Sequence, residues 1–180
     1  MSSTPNPLAD QLKAGKFVLT GEIVPPVSGG SEELLAAAAP FKERLAALNV
    51  TDGPGARVHM SSLAASGILA QHGYTPILQM TCRDRNRIAI QADLLGGSAM
   101  GVKNVLYLTG DDPTAGDQPE AKAVFDAKSH ELLAWSKTMT EAAQLPSGRA
   151  ITTAPQIFNG AAAVPRIPEP GWEPKALMRK

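Results

Sequence analysis

The chain has 180 residues, enough for one domain with a sizeable core, and its 17 basic and 17 acidic residues give a formal net charge of zero. This balance argues against the basic surface of a nucleic-acid-binding protein and against electrostatic attraction to a membrane. The single cysteine, Cys82, excludes an internal disulfide and a cysteine-based zinc site.

The amino terminus lacks the apolar segment of a signal peptide, and no apolar run approaches the roughly 18 residues of a membrane-spanning helix. The three histidines also lack the spacing of metal ligands, so no metal site is predicted. We therefore expect a cytoplasmic protein whose partners are neither nucleic acids nor membranes.

Apolar periodicity and turn residues predict alternating helices and strands. The first half is predicted to contain a helix at 8–12, a strand at 17–24, a helix at 31–48 interrupted by Pro40, a strand at 48–50 and a helix at 61–72. The second half is predicted to contain a strand at 76–80, a helix at 85–100 capped by Asp84, a strand at 105–108, a helix at 129–143, a strand at 150–158 interrupted by Pro155, and a helix from 173.

This alternation predicts a parallel sheet with helical crossovers, because the first four strands lie about 30 residues apart. Two α/β architectures remain open. A doubly wound sheet of five strands, in the order 2-1-3-4-5, fits the chain length alone. A complete (β/α)8 barrel needs roughly 250 residues.

Polar side chains stand at the carboxyl ends of the predicted strands: Glu22, Thr51, Gln79 with Thr81, and Asp111. Parallel strands bring these ends to one rim, where two carboxylates could act as a general acid and an electrostatic partner. Two explanations that assign no catalytic role to these residues remain open at this point. Strand ends carry polar residues because they meet water, and Gly-Asp-Asp-Pro at 110–113 is good turn chemistry.

Five segments occur in order along the chain: GEIVPP at 21–26, NVTD at 49–52, MTCRDRNR at 80–87, QADLLG at 91–96 and LTGDDP at 108–113. Together they resemble the methylenetetrahydrofolate reductase family. The resemblance runs from about Phe17 to the end of the chain, which predicts a lead-in at 1–16 and a barrel domain at 17–180.

The resemblance implies a (β/α)8 barrel that binds FAD, oxidises NAD(P)H and reduces 5,10-methylenetetrahydrofolate to 5-methyltetrahydrofolate, a reaction of one-carbon and methionine metabolism. It implies that Glu22 is the general acid and that Asp111 lies near the flavin ring and the folate pterin. The other implied flavin contacts are Thr51, Gln79, Thr109, Gly110, Glu173 and Lys180. Some family members have histidine at the position of Gln79.

The family continues beyond the part of its sequence that this chain resembles, so we expect an amino-terminal partial barrel of about five βα units. Such a chain is predicted to be inactive alone and to associate with further copies or with a complementing chain. Two alternatives remain open: a non-catalytic partial domain that requires a partner chain, and an unrelated doubly wound binding domain.

The basic motif allows a simpler interpretation than cofactor contact. Arg83, Asp84, Arg85 and Arg87 are predicted to form a solvated helix start with salt bridges. Cys82 is predicted to be a small buried residue and not a nucleophile, because no partner histidine is evident.

Overall fold

Five parallel strands form one sheet in which every strand lies beside its neighbour in sequence. The computed structural model describes residues 5–163, 167–169 and 171–179. The strands are β1 (Thr20–Ile23), β2 (Ala47–Val50), β3 (Pro76–Thr81), β4 (Asn104–Leu108) and β5 (Phe158–Ala161). The helices are α1 (Pro7–Lys13), α2 (Glu32–Ala38), α3 (Ser62–Gln71), α4 (Arg87–Ala99), α5 (Ser129–Glu141) and α6 (Lys175–Met178).

The strand order distinguishes the two predicted architectures. A doubly wound sheet reverses direction at a switch point, whereas this sheet runs β1-β2-β3-β4-β5 without reversal. The doubly wound prediction, which rested on chain length alone, is therefore wrong. The structure is an α/β fold with the repeating βα arrangement of (β/α)8 barrels, represented by five strands.

The core lies between the sheet and its helices, because alternate strand residues point to the helical side. Two apolar clusters fill this layer. One packs β1 and β2 against α2 and α3, with Leu34, Val50 and Leu69 almost fully buried. The other packs β3 and β4 against α4 and α5 around Met80 and Tyr107.

The opposite face of the sheet lines a cavity of about 330 Å³ towards the amino-terminal ends of the strands. Leu8 and Leu12 of α1 contribute to its lining, and Asn6 caps that helix. Asn6 also donates to the Asn104 side chain at 2.9 Å, which ties α1 to β4. The helix within the predicted lead-in therefore covers this opposite face, which we call the inner face of the sheet, at the end away from Glu22 and Asp111. No helix in the described part of the chain is long and apolar enough to cross a membrane.

The predicted helix at 31–48 is wrong in its second half. Helix α2 ends at Ala38, and a single 3-10 turn, Ala39–Phe41, follows it. Pro40 lacks the N–H that would continue the helix, and its ring collides with the preceding turn. Leu45 still packs against the β1–β2 cluster, which explains why its spacing looked helical.

The predicted strand at 150–158 is also wrong, because the strand begins where the prediction ended. Ala150 pairs with Gln144 instead, and the Ile151 N–H donates to the Ala143 carbonyl at 2.8 Å. The backbone groups of Ala150 and Ile151 are thus hydrogen-bonded within this tight turn after α5 and do not pair with β4. Pro155 then removes a further donor, so pairing with β4 begins only at Phe158.

Candidate active site

Glu22 and Gln79 meet at the carboxyl-end rim of the sheet. The Gln79 amide nitrogen donates to Glu22 Oε2 at 2.9 Å, across the intervening strand β2. Gln79 is buried, whereas Glu22 is exposed. The amide therefore holds one carboxyl oxygen in place, while the carboxyl group itself stays accessible from solvent.

The other strand-end side chains differ in exposure. Thr51 is 5% exposed, and its hydroxyl donates back to the Ile23 carbonyl at 3.4 Å. Thr109 is exposed and follows the last residue of β4. Gly110 comes next with φ +95°, a backbone conformation that glycine adopts without strain. The rim thus combines buried and exposed neutral groups with the Glu22 carboxyl.

Asp111 lies in the loop after β4 and contacts the loop after β2. Its Oδ2 accepts a hydrogen bond from the Gly55 N–H at 2.8 Å. A second link between the same loops is formed by Asp117, whose carboxylate accepts the Val58 N–H at 3.1 Å. Within the described residues, no hydrogen bond joins Asp111 to Glu22 or Gln79, so the two predicted carboxylates are held by separate partners.

Asp52, which the sequence analysis did not single out, is the centre of a buried network. It is 8% exposed and accepts hydrogen bonds from the Ser62 hydroxyl at 2.8 Å and from Thr81 N and Oγ1, both at 2.9 Å. The Arg85 guanidinium binds both of its oxygens, at 2.7 and 3.2 Å, and also pairs with Asp93 at 2.9 Å. The network joins the ends of β2 and β3 to helices α3 and α4.

Asp52 is ionised despite its burial. Burial raises the pKa of this carboxyl, but the hydrogen bonds and charge of Arg85, together with the Thr81 and Ser62 hydrogen bonds, hold the pKa below its usual range. In Arg85, burial lowers the pKa, but the hydrogen bond and charge of Asp52, together with the charges of Asp93 and Asp84, more than compensate and the pKa is raised. Both groups are therefore charged at neutral pH.

The predicted solvated start of helix α4 holds for only one of its three arginines. Arg87 is exposed and pairs with Asp126 at 2.9 Å, but Arg83 and Arg85 have side-chain exposures of 5% and 15%. The predicted salt bridges are confirmed. Asp84 is not the cap: the Asn86 side chain accepts the Ile88 and Ala89 N–H groups, and Asp84 pairs with Arg83 instead.

The remaining predicted residues are an exposed side chain, a residue outside the described part of the chain, and the single cysteine. Glu173 is 68% exposed and pairs weakly with Lys175 at 3.9 Å, and Lys180 lies outside the described residues. The predicted burial of Cys82 is confirmed, since the residue is fully buried, and burial raises the pKa of its thiol to about 11. The described residues contain no cluster of histidine, cysteine and carboxylate side chains suited to a metal ion.

Comparison with known proteins assigns the family. Residues 7–143 match the family model described as Methylenetetrahydrofolate reductase. The chain belongs to the methylenetetrahydrofolate reductase family. The match spans more than half of the chain and includes Glu22, Gln79 and Asp111, but it ends before Glu173 and Lys180. No curated protein matches the chain.

Membership of the methylenetetrahydrofolate reductase family makes the chain a relative of folate-related oxidoreductases of one-carbon metabolism, which are generally flavin-dependent. The matched segment begins at residue 7, before the predicted start of the barrel domain at Phe17. Helix α1, which lies on the inner face of the sheet, therefore falls within the matched segment.

The chemistry of the rim fits a flavin ring, which presents carbonyl oxygens and ring nitrogens to neutral hydrogen-bonding groups. Gln79 uses one amide hydrogen on Glu22 and retains a second hydrogen and its carbonyl oxygen. Thr109 offers an exposed hydroxyl, and Gly110 has no side chain to obstruct a ligand. Thr51 offers less surface, because its hydroxyl is buried against β1.

Proposed function

We propose that the chain carries the amino-terminal half of an active site that reduces 5,10-methylenetetrahydrofolate to 5-methyltetrahydrofolate with NAD(P)H and FAD. The observation that carries this proposal is the exposed Glu22 carboxyl held by Gln79 at the carboxyl-end rim, in a chain of this family. In folds of parallel βα units, the loops at this rim are where ligands bind.

In this proposal, Gln79, Thr109, Gly110 and the less exposed Thr51 hold the flavin from the side of the sheet. When bound, FAD supplies the capacity to pass a hydride from NAD(P)H to the folate. Glu173 and Lys180 are proposed to contact the ribose and diphosphate. The reaction consumes one hydride and one proton, so the protein must also provide a proton.

Glu22 is the proposed source of that proton. Its Oε2 accepts the Gln79 amide hydrogen, so the transferable proton is placed on Oε1. Delivery to the folate nitrogen that leaves the methylene bridge opens the ring to an iminium, whose carbon then accepts the hydride. Gln79 thus orients the acid and does not itself exchange a proton.

The direct test combines the chain with further βα units that complete its site, and records an absorbance spectrum with added FAD, followed by NAD(P)H oxidation with and without 5,10-methylenetetrahydrofolate. Flavin binding together with folate-dependent turnover would support the proposal. Oxidation of NAD(P)H that is indifferent to the folate would contradict the assigned substrate.

Replacing Asp111 with asparagine tests the second predicted carboxylate. A negative charge disfavours electron gain by a nearby ring. Asparagine removes this charge but keeps an oxygen that can accept the Gly55 N–H. We expect a higher flavin reduction potential and weaker folate binding, measured by spectral titration. Asp112→Asn is the matched control, because among the described residues that exposed carboxylate is hydrogen-bonded only to Thr114 of its own turn. An unchanged reduction potential together with unchanged folate affinity would show that Asp111 serves only the turn after β4.

The sheet edges lead to a prediction about partners. Strands β1 and β5 each lack a neighbour on one side within the described structure, and Phe17 beside β1 is 92% exposed. Open edges and exposed apolar side chains favour association. We propose that further βα units, from another copy or a complementing chain, complete the site, and that the 180-residue chain alone binds FAD weakly and shows no measurable turnover. Size-exclusion chromatography with flavin titration checks this, and a flavin-loaded, active monomer would contradict it.

A further inference from the structure

Arg83 is a buried cation that the proposed chemistry has not used so far. It follows β3, and its side chain is only 5% exposed, whereas its partner Asp84 is 53% exposed. Burying a guanidinium is costly unless its hydrogen bonds are satisfied. The contacts that satisfy this guanidinium therefore show which parts of the rim are built around it.

The guanidinium bridges the loops after β3 and β2. Its Nε and one terminal nitrogen donate to the two Asp84 oxygens, at 2.8 and 2.7 Å. Its other terminal nitrogen donates to the Gly53 carbonyl at 3.0 Å. A Cβ at Gly53, where φ is +54°, would lie 2.5 Å from the guanidinium, so only glycine lets the loop approach this closely.

The same loop reaches Asp111 two residues later. The Gly55 N–H is the donor to Asp111 Oδ2, so Arg83 fixes the base of the loop whose tip holds that carboxylate. The pKa of the Arg83 guanidinium is raised, chiefly by Asp84 and despite burial, with smaller contributions from the charges of Asp52 and then Asp111.

Arg83 also supports Asp111 from the side of β4. Gly110, the residue before Asp111, lies so close that an added Cβ would be 2.9 Å from the Arg83 Cβ. Further along the same loop, the Val124 N–H donates to the Arg83 carbonyl at 2.7 Å. One residue therefore contacts the chain before Asp111, the chain after it, and the loop that binds its carboxylate.

We propose that Arg83 is a positioning residue for Asp111, holding the loops after β2 and β4 so that the Asp111 carboxylate is fixed at the rim. The chemical consequence of this role rests on the proposed function, whereas the placement of the two loops by Arg83 does not. A lysine cannot replace the arginine, because one ammonium group cannot bind both Asp84 oxygens and also donate in the same plane to Gly53.

The geometric part is tested without flavin, by amide hydrogen exchange in the full chain. In Arg83→Lys, exchange in segments 53–59 and 110–118 should accelerate about tenfold, the factor expected when opening no longer breaks one charge-assisted hydrogen bond. Helices α3 and α5 should keep their protection. The matched control is Arg87→Lys, since that exposed arginine of the same motif contacts neither segment through its side chain. Unchanged exchange in both segments of Arg83→Lys would overturn the proposal.

A milder variant decides the question if Arg83→Lys fails to fold. Asp84→Asn keeps the shape of the side chain but removes the negative charge that pairs with the Arg83 guanidinium. It should accelerate exchange in the same two segments by a smaller factor. Protection equal to that of the unmodified chain in both segments would overturn the proposal.

The chemical part is tested by the reduction potential of bound flavin. Arg83→Lys should shift the potential in the same direction as Asp111→Asn, and it should cause no further shift once Asp111 is asparagine. An equal shift in both backgrounds would show that Arg83 acts independently of Asp111 and would overturn the proposal. If the site completed by its additional βα units binds no flavin, the proposed function fails, and the exchange measurement alone still judges the placement of Asp111 by Arg83.

Discussion

Replacing Glu22 with glutamine should slow folate reduction by roughly a hundredfold or more, the scale of general acid–base catalysis. Glutamine has the shape of glutamate, and its carbonyl oxygen can still accept the Gln79 amide hydrogen that Glu22 Oε2 accepts now. The variant therefore keeps the position of the side chain and loses only its transferable proton. Reduction of the flavin by NAD(P)H needs no proton from Glu22, so that half-reaction should change little.

The two half-reactions are measured separately by stopped-flow absorbance of the flavin, using the site completed by its additional βα units. Glu33→Gln is the matched control, because Glu33 is exposed on α2 and belongs to no part of the proposed site. Equal losses in both half-reactions of Glu22→Gln would show that Glu22 maintains the structure of the site and is not its acid.

The meeting of Glu22 and Gln79 could be anticipated from the sequence, because it follows from regular geometry. Both residues end predicted parallel strands, and the ends of parallel strands share one rim. Chain length alone favoured the doubly wound sheet and could not supply the strand order, whereas the family resemblance, which implies a (β/α)8-type barrel, predicted it. In the observed order β1 and β3 lie on either side of β2, and the Glu22 and Gln79 side chains meet across it.

The contacts of Asp111, Asp52 and Arg83 could not be anticipated, because they depend on loop conformation. The Gly55 N–H reaches Asp111 through a turn containing positive φ angles, which no apolar periodicity encodes. Arg83, Arg85 and Arg87 alternate in sequence like residues on a solvated surface. They differ in burial because the first two lie in the turn between β3 and α4, where the side chains face neighbouring loops.

Replacing Asp52 with alanine should lower the free energy of unfolding by about 3–5 kcal/mol, the usual cost of removing one partner from a buried ion pair. The carboxylate accepts hydrogen bonds from Ser62, Thr81 and Arg85, and alanine would leave all of these buried donors without that acceptor. Asp93 would still pair with Arg85, which favours the lower end of the range. Urea unfolding followed by circular dichroism measures the change. Asp126→Ala is the comparison, with a much smaller expected loss, because Asp126 is only half-buried and its partner Arg87 is exposed.

The contribution of Asp52 should also depend on pH in a defined direction. Its folded pKa is depressed, so the stabilisation is present above the unfolded pKa of about 3.9 and disappears as the pH falls through the lower folded value. The stability difference between the unmodified chain and Asp52→Ala should therefore be constant near neutral pH and shrink below about pH 4. If this stability difference stayed constant into strong acid, the lost stability would come from packing around the alanine methyl group and not from the charged network. A difference near zero at neutral pH would mean that Arg85 is held by Asp93 alone and that Asp52 does not anchor the ends of β2 and β3.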